Sequence, residues 1–115
     1  MRYLLLIYQE PPATPPTPEQ WAEMMPQYNA FTSWLNERGW NKGGEALHDV
    51  DSATTVSLRD GRRIVTDGPF AETKEHLGGY YVVDVPSLDD AIEAASRVPG
   101  AKTGKVEIRP IAETG

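Results

Sequence analysis

The sequence of 115 residues contains no cysteine. Disulfide bonds, thiol catalysis and cysteine-held zinc or iron–sulfur sites are therefore excluded. Positive charge is also scarce, because 11 Lys and Arg stand against 17 Asp and Glu, a formal net charge of −6. This balance argues against a nucleic-acid or anionic-membrane partner, since binding to phosphates needs a basic patch.

Long hydrophobic runs are missing as well. The longest covers residues 4–7 (LLLI), which is too short for a membrane span or a signal-peptide core. We therefore expect a cytoplasmic protein with no membrane partner. Hydrophobic residues at 39% and charged residues at 24% are typical of a soluble globular chain, and the length predicts a single domain over residues 1–115.

Hydrophobic periodicity predicts the order strand, helix, strand, hairpin, strand, helix, strand. The predicted strands cover residues 3–8, 40–47, 54–59, 62–66, 79–85 and 105–109. This order predicts an α+β fold of ferredoxin-like type, in which two helices cover one face of an antiparallel sheet. Because the first and fifth strands are apolar on both faces, a second copy is expected to cover the other face as a homodimer, sheet facing sheet.

The first helix has clear start and stop signals. Thr17 and Gln20 form a capping-box pattern and Gly39 is expected to end the helix. Pro26 is expected to kink the helix or to split it after the preceding residue. Trp21, together with the proline-rich residues 9–17 before the helix, is either part of the core or a lid over a pocket.

Two pairs of residues mark local backbone geometry. Gly43 and Gly44 in the second strand indicate a bulge or a close backbone approach. Asp60 and Gly61 predict a two-residue hairpin turn, which places Arg59 opposite Arg62.

Residues 67–75 (DGPFAETKE) form the densest group of unusual residues. With residues 3–8 (YLLLIY), 43–45 (GGE), 53–56 (ATTV), 65–66 (VT), 78–81 (GGYY) and 106–110 (VEIRP), the sequence resembles the DGPF or YCII-related domain proteins along essentially its whole length. The resemblance implies a ferredoxin-like fold and a dimeric α/β barrel. It also implies a frequent gene neighbourhood with extracytoplasmic-function sigma factors, but it supplies no reaction.

Related YCII proteins are suspected enzymes with a histidine on the first helix and an aspartate as active groups. Aligned on the helix end at Gly39, that histidine falls near Tyr28, so this chain lacks it. The resemblance thus leaves acid–base chemistry of that type in question and makes Tyr28 a candidate ligand-binding residue.

Asp67 is the first candidate catalytic group, as a general base facing a pocket. The alternative is local: the carboxylate accepts a backbone hydrogen bond in an Asx turn or a cap, with Pro69 in a first helical position. Phe70 is either a core anchor for this connection or part of the pocket lining.

Glu45 is the second candidate base, because burial on a strand would raise its pKa. An exposed glutamate near a strand end is the alternative. Glu72 and Lys74 are either a solvated face or ligand-binding groups, and in the second case Glu72 or Glu75 would pair with Arg59 or its neighbouring arginines around a polar pocket. The two histidines, His48 and His76, match no ligand spacing, so no metal or cofactor is predicted.

Two functions remain open from the sequence. The first is a small-molecule enzyme that uses a carboxylate for proton transfer near residues 67–70. The second is a non-catalytic dimeric module that binds a small molecule or regulates a partner, with a link to sigma-factor signalling but without direct DNA binding.

Overall fold

The computed structural model describes residues 1–11 and 14–113. Pro12, part of the predicted proline-rich connection, lies outside the described residues. The elements follow the predicted order, with two short 3-10 turns at Val50–Ser52 and Pro99–Lys102. They are β1 (Arg2–Gln9), α1 (Pro18–Glu37), β2 (Asn41–Ala46), β3 (Thr54–Arg59), β4 (Arg62–Asp67), β5 (His76–Asp84), α2 (Leu88–Arg97) and β6 (Lys105–Pro110).

The main sheet has four strands in the order β2-β5-β1-β6, and every neighbouring pair is antiparallel. Strands β3 and β4 form a separate two-stranded hairpin. Without that hairpin the chain order is β-α-β-β-α-β, so the α+β prediction is confirmed and the architecture is consistent with a ferredoxin-like fold.

The hydrophobic core lies between the helices and one face of this sheet. Residues that alternate along β1 and β5 point to that face, because successive side chains of a strand point to opposite sides. The fully or nearly fully buried members are Tyr3, Leu5, Ile7, Phe31, Leu35, Val83, Val85, Ala91, Ala94, Ala95 and Val98. The expected placement of both helices on one face is thereby observed.

The termini of α1 follow the sequence signals. Thr17 accepts a hydrogen bond from the backbone N–H of Gln20 at 3.2 Å, and the Gln20 side chain accepts one from the Thr17 N–H at 2.9 Å. Gly39, with φ +71°, follows the last turn. Of the two expected outcomes at Pro26, a kink or a split, the split is wrong, since α1 continues through Pro26. Burial of Phe31 and Leu35 stabilises the second half of the helix.

Two arginines pack on the ring of Trp34, and one of them, Arg97, comes from the other helix. The guanidinium carbon of Arg38 lies 4.1 Å from the centre of the Trp34 ring, and that of Arg97 lies 4.4 Å away. Trp40 packs edge-on against Trp34 with centroids 5.5 Å apart. Such cation–π contacts contribute about 0.5–1 kcal/mol each at exposed sites, and the Arg97 contact links the C-terminal ends of α1 and α2.

The buried face of α2 consists of small side chains. Ala91, Ala94 and Ala95 are buried, whereas Leu88 and Ile92 are about half exposed. Only small side chains fit where α2 approaches the sheet, so the larger ones turn to the helix's outer side. Among the described residues, no helix is both long and apolar enough to cross a membrane.

Candidate functional site

A cleft lies between the N-terminal half of α1 and the strands β1, β5 and β2. Its volume is about 530 Å³, within the range of small-molecule sites. Its lining consists of Ile7, Gln9, Trp21, Met24, Met25, Tyr28, Asn29, Thr32, Asn41, Gly43, Gly44, Glu45, Ala46, Leu47, Gly78, Gly79, Tyr80 and Tyr81.

Glycines explain why the cleft exists. Gly44 pairs with Tyr81 and Ala46 pairs with Gly79 on the helix side of the sheet, so little side-chain volume rises from the strands beneath the start of α1. Farther along the helix, Phe31 and Leu35 fill the same layer. The cleft is therefore the part of the helix–sheet layer that the two glycine pairs of the sequence leave empty.

The glycine pair in β2 also determines how this strand pairs with β5. The register shifts between Asn41 and Gly43, which confirms the predicted bulge, and Gly43 has a φ of +131° that favours glycine. A Cβ on Gly44 would lie 2.5 Å from the Tyr80 carbonyl oxygen, which confirms the close approach.

Three hydroxyl groups line the inner wall of the cleft. Thr32 Oγ1 and Tyr81 Oη are 3.5 Å apart, and Tyr81 packs edge-on against Phe31 with centroids 5.0 Å apart. Burial raises the pKa of the Tyr28 phenol, the nearby Tyr81 raises it further, and the Gly100 backbone partly offsets both. Tyr28 is consequently a neutral hydrogen-bonding group at physiological pH.

The rest of the cleft is mainly apolar and almost uncharged, with three amide side chains, those of Gln9, Asn29 and Asn41, in its lining. Trp21 and Met25 stand at its mouth, each about half exposed, and Glu45 is the one charged residue in the lining. Because directly paired residues share a face of the sheet, Glu45 lies on the same side as its partner Tyr80 and opposite to Tyr81. The burial expected for Glu45 is not observed, since the residue is exposed.

The structure separates Asp67 from the cleft. Asp67 ends β4 as an exposed residue. The turn after it is closed by the Gly68 N–H, which donates to the Ala53 carbonyl at 2.7 Å, and by the Thr55 hydroxyl, which donates to the Gly68 carbonyl at 2.7 Å. The side-chain hydrogen bond at this turn therefore comes from a donor, Thr55, and not from the Asp67 carboxylate as an acceptor. No helix begins at Pro69.

Phe70 is not a core anchor. Its side chain is 90% exposed, because residues 68–75 run as an irregular segment outside the helix–sheet layer. It also does not line the cleft. Neither position expected for Phe70, in the core or in a pocket lining, is therefore observed.

The charged candidates are distributed along the hairpin and the segment that follows it. Arg59 pairs with Arg62 beside the hairpin turn, about 17 Å along the strand from Asp67 at a rise of 3.4 Å per residue. Glu72 and Lys74 are exposed. Glu75 forms its ion pair with Lys105 of β6, so the predicted pairing of Glu75 with an arginine is wrong.

Tyr28 is the predicted ligand-binding residue that the structure places in the cleft, and Glu45 lies at the cleft's β2 side. Sequence reasoning missed Tyr81, Thr32, Met24 and the glycine floor. The available signal was the repeat of two adjacent glycines, at positions 43–44 and 78–79, in two strands that pair. Among residues 1–11 and 14–113, no group of three or more His, Asp or Glu is placed to hold a metal ion.

Comparison with known proteins assigns the family. The YCII-related domain matches residues 1–114. The chain belongs to the YCII-related domain family. An uncharacterized protein of Rhizobium meliloti (strain 1021) is 37% identical over 117 residues, which cover 97% of this chain and 93% of the relative. The family membership confirms the resemblance found in the sequence, and this relative is a YCII-related protein without an assigned activity.

Proposed function

We propose that this YCII-related protein is a homodimeric binding protein for a small, neutral, mainly apolar molecule held in the cleft between α1 and the sheet. The observation behind this proposal is the cleft itself, with aromatic and thioether side chains at its mouth and hydroxyl groups at its inner wall. Sites of this composition bind through apolar contact and fix orientation through a few polar groups.

The charge of the cleft selects against anions. Its lining holds no Lys or Arg, and the chain has a net charge of −6. An anion would lose its hydration without gaining a partner. A neutral ring system with one hydrogen-bonding group would instead contact Trp21, Met24 and Met25 and reach the hydroxyl groups of Tyr28 and Tyr81.

The homodimer is supported by the helix-free face of the sheet. By register, Leu4, Leu6, Tyr80 and Val82 lie on that face, and the chain is only 18 Å thick, which leaves room for one sheet and one layer of helices. Leu4, Tyr80 and Val82 are only half-buried in the single chain, and a second copy would cover them. The cytoplasmic location, the catalytic role of Asp67 or Glu45 and a link to sigma factors stay predictions of the sequence.

A matched pair of fluorescent probes tests the binding proposal. N-phenyl-1-naphthylamine is neutral and apolar, and 1-anilinonaphthalene-8-sulfonate is the same ring system with one sulfonate. The neutral probe should bind, and the sulfonate should bind at least about tenfold more weakly because its charge finds no partner in the cleft.

Two variants of α1 locate the bound probe. Met25→Glu places a charge at the cleft mouth and should weaken binding of the neutral probe by about tenfold. Ala22→Glu adds the same charge to the same helix, at an exposed position outside the lining, and should leave binding unchanged. Equal binding of both probes together with no effect of Met25→Glu would contradict the proposal.

A further inference from the structure

The 3-10 turn at Pro99–Lys102 meets the Tyr28 side chain at one end of the cleft. A Cβ atom on the buried Gly100 would lie 3.0 Å from the Tyr28 hydroxyl oxygen and 3.0 Å from the Cγ2 atom of Ile7. Glycine at this position therefore lets the phenol lie against the backbone of the turn. Tyr28 and Ile7 both line the cleft, so this contact is part of its wall.

Hydrogen bonds hold the turn that contains Gly100. The Gly104 N–H donates to the Gly100 carbonyl at 2.8 Å, and the Gln9 amide at the end of β1 donates to Thr103 Oγ1 at 3.0 Å. The turn is thus bonded both within itself and to the sheet. The hydroxyl oxygen of Tyr28 lies against a fixed part of the chain, which lowers the cost of ordering this group when a ligand binds.

The Tyr28 hydroxyl faces a hydrogen-bond donor on the side of the turn. Burial has the largest effect on the pKa of this phenol and raises it, whereas the Gly100 backbone lowers it. Such a lowering is the effect of a donor directed at the oxygen, and the N–H is the one donor group of a peptide backbone. A phenol has a single O–H proton, which can then point away from the turn and into the cleft.

A second phenol lies near the first on the inner wall. After burial, the nearby Tyr81 contributes most to the raised pKa of Tyr28, which places the two rings in one neighbourhood. The Tyr81 oxygen is 3.5 Å from Thr32 Oγ1. When the Thr32 hydroxyl donates in this pair, the Tyr81 proton is directed elsewhere as well. This wall therefore offers O–H donors to a molecule in the cleft.

From these contacts we infer that the ligand of the cleft is a neutral aromatic compound with a carbonyl oxygen, such as an aryl ketone or ester, and that Tyr28 donates a hydrogen bond to this oxygen. The inference rests on the proposed function and adds the functional group of the ligand and the residue that recognises it. An O–H donor needs an acceptor, and a carbonyl oxygen accepts without carrying a charge.

The rest of the lining suits the aromatic part of such a ligand. Trp21 and Met25 stand at the mouth of the cleft, and Met24 also lines it. Thioether sulfur atoms and aromatic rings make favourable contacts with an aromatic ring. A carboxylate could accept the same hydrogen bond, but it would lose its hydration in a lining without Lys or Arg.

Two naphthalene competitors isolate the contribution of the carbonyl group. 2-Acetylnaphthalene and 2-ethylnaphthalene share one ring system and nearly one shape, and only the first has a carbonyl. Each is titrated against bound N-phenyl-1-naphthylamine in the wild type and in Tyr28→Phe. The affinity for the ketone relative to the hydrocarbon should fall at least about fivefold in the variant, and the affinity for the hydrocarbon should stay within about twofold.

Tyr8→Phe is the matched control. Tyr8 is half-buried like Tyr28 but lies outside the cleft lining, so its loss should leave the ratio of the two affinities within about twofold. The infrared band of the bound ketone gives a second readout that altered packing alone would not mimic. Because a hydrogen bond weakens the C=O bond, the carbonyl band should lie at lower frequency in the wild type than in Tyr28→Phe.

The outcomes separate this inference from the proposed function. A preference for the ketone that is lost in Tyr28→Phe and kept in Tyr8→Phe supports the inference. The same preference in all three proteins, an unmoved carbonyl band, or a parallel loss of both competitors in Tyr28→Phe overturns it and leaves apolar binding in the cleft standing. If neither naphthalene displaces the probe from the wild type, the proposed function is contradicted and this inference falls with it.

Discussion

Tyr28 shows how one residue can acquire a role through its neighbours. It occupies a half-buried position on α1 at the cleft wall, near Tyr81 and the backbone of Gly100. The phenol gives hydrogen-bonding capacity without charge, because burial raises its pKa above the usual value near 10. The uncharged Tyr28 hydroxyl can donate and accept a hydrogen bond at the cleft wall, so it can bind a polar group of a neutral ligand.

The raised pKa of Tyr28 predicts a pH dependence of stability. The folded state holds the phenolic proton to a higher pH than the unfolded chain, so the stabilisation is complete below the unfolded pKa near 10 and is lost as the pH rises through the folded value. In urea denaturation, the free energy of unfolding should fall more steeply at alkaline pH for the wild type than for Tyr28→Phe. Identical slopes for the two proteins would contradict the burial of this phenol.

Individual side chains differ in how far the sequence predicts them. Thr17, Gln20, Gly39 and Arg59 behave as expected because their positions follow from local backbone rules. Phe70 does not, because its exposure depends on whether another part of the fold passes over it. Residue type alone cannot supply that information.

Among the elements, β2 depends most on backbone contact. It is an edge strand of exposed residues, and it approaches β5 closely at Gly44. The strand forms one wall of the cleft, so its attachment sets the cleft's width.

Gly44→Ala should therefore loosen β2. The new methyl group would lie 2.5 Å from the Tyr80 carbonyl oxygen, and relief of this overlap should cost about 1–3 kcal/mol of stability. Gly78→Ala is the matched control, because its methyl group would meet the Ile7 carbonyl oxygen at 4.0 Å, an ordinary contact. Thermal unfolding measures both, and equal midpoints for the two variants would contradict the close approach.

The sequence predicted the elements better than their arrangement. The order of strands and helices and the turn at Asp60 and Gly61 follow from periodicity and turn chemistry. The separation of the β3–β4 hairpin from the main sheet does not, because the same alternation of Val56 and Leu58 would suit a strand inside a sheet. The cleft was likewise hidden, since it results from two glycine pairs that meet only after β2 pairs with β5.

At the scale of the whole molecule, the chain is wide and thin. Its radius of gyration is 16.3 Å, against about 13 Å for a compact domain of this length. The principal extents are 48 × 46 × 18 Å, so one dimension is much shorter than the other two. A second copy on the helix-free face of the sheet would increase the shortest dimension, so the dimer would be more nearly spherical than the single chain.

The expected mass in solution is accordingly that of two chains. Sedimentation equilibrium at micromolar concentration should give twice 12.7 kDa. Small-angle scattering should show a particle thicker than the single chain, since the second copy covers the helix-free face. A mass of one chain, with the thin profile retained, would contradict this account.

The most direct test of the binding proposal uses the three tryptophans as reporters after labelling with 5-fluorotryptophan. Trp21 lines the cleft, whereas Trp34 and Trp40 pack against each other near Arg38. Addition of N-phenyl-1-naphthylamine should shift the fluorine resonance of Trp21 and leave the other two in place. An unmoved Trp21 resonance, or equal shifts of all three, would contradict a ligand site between α1 and the sheet.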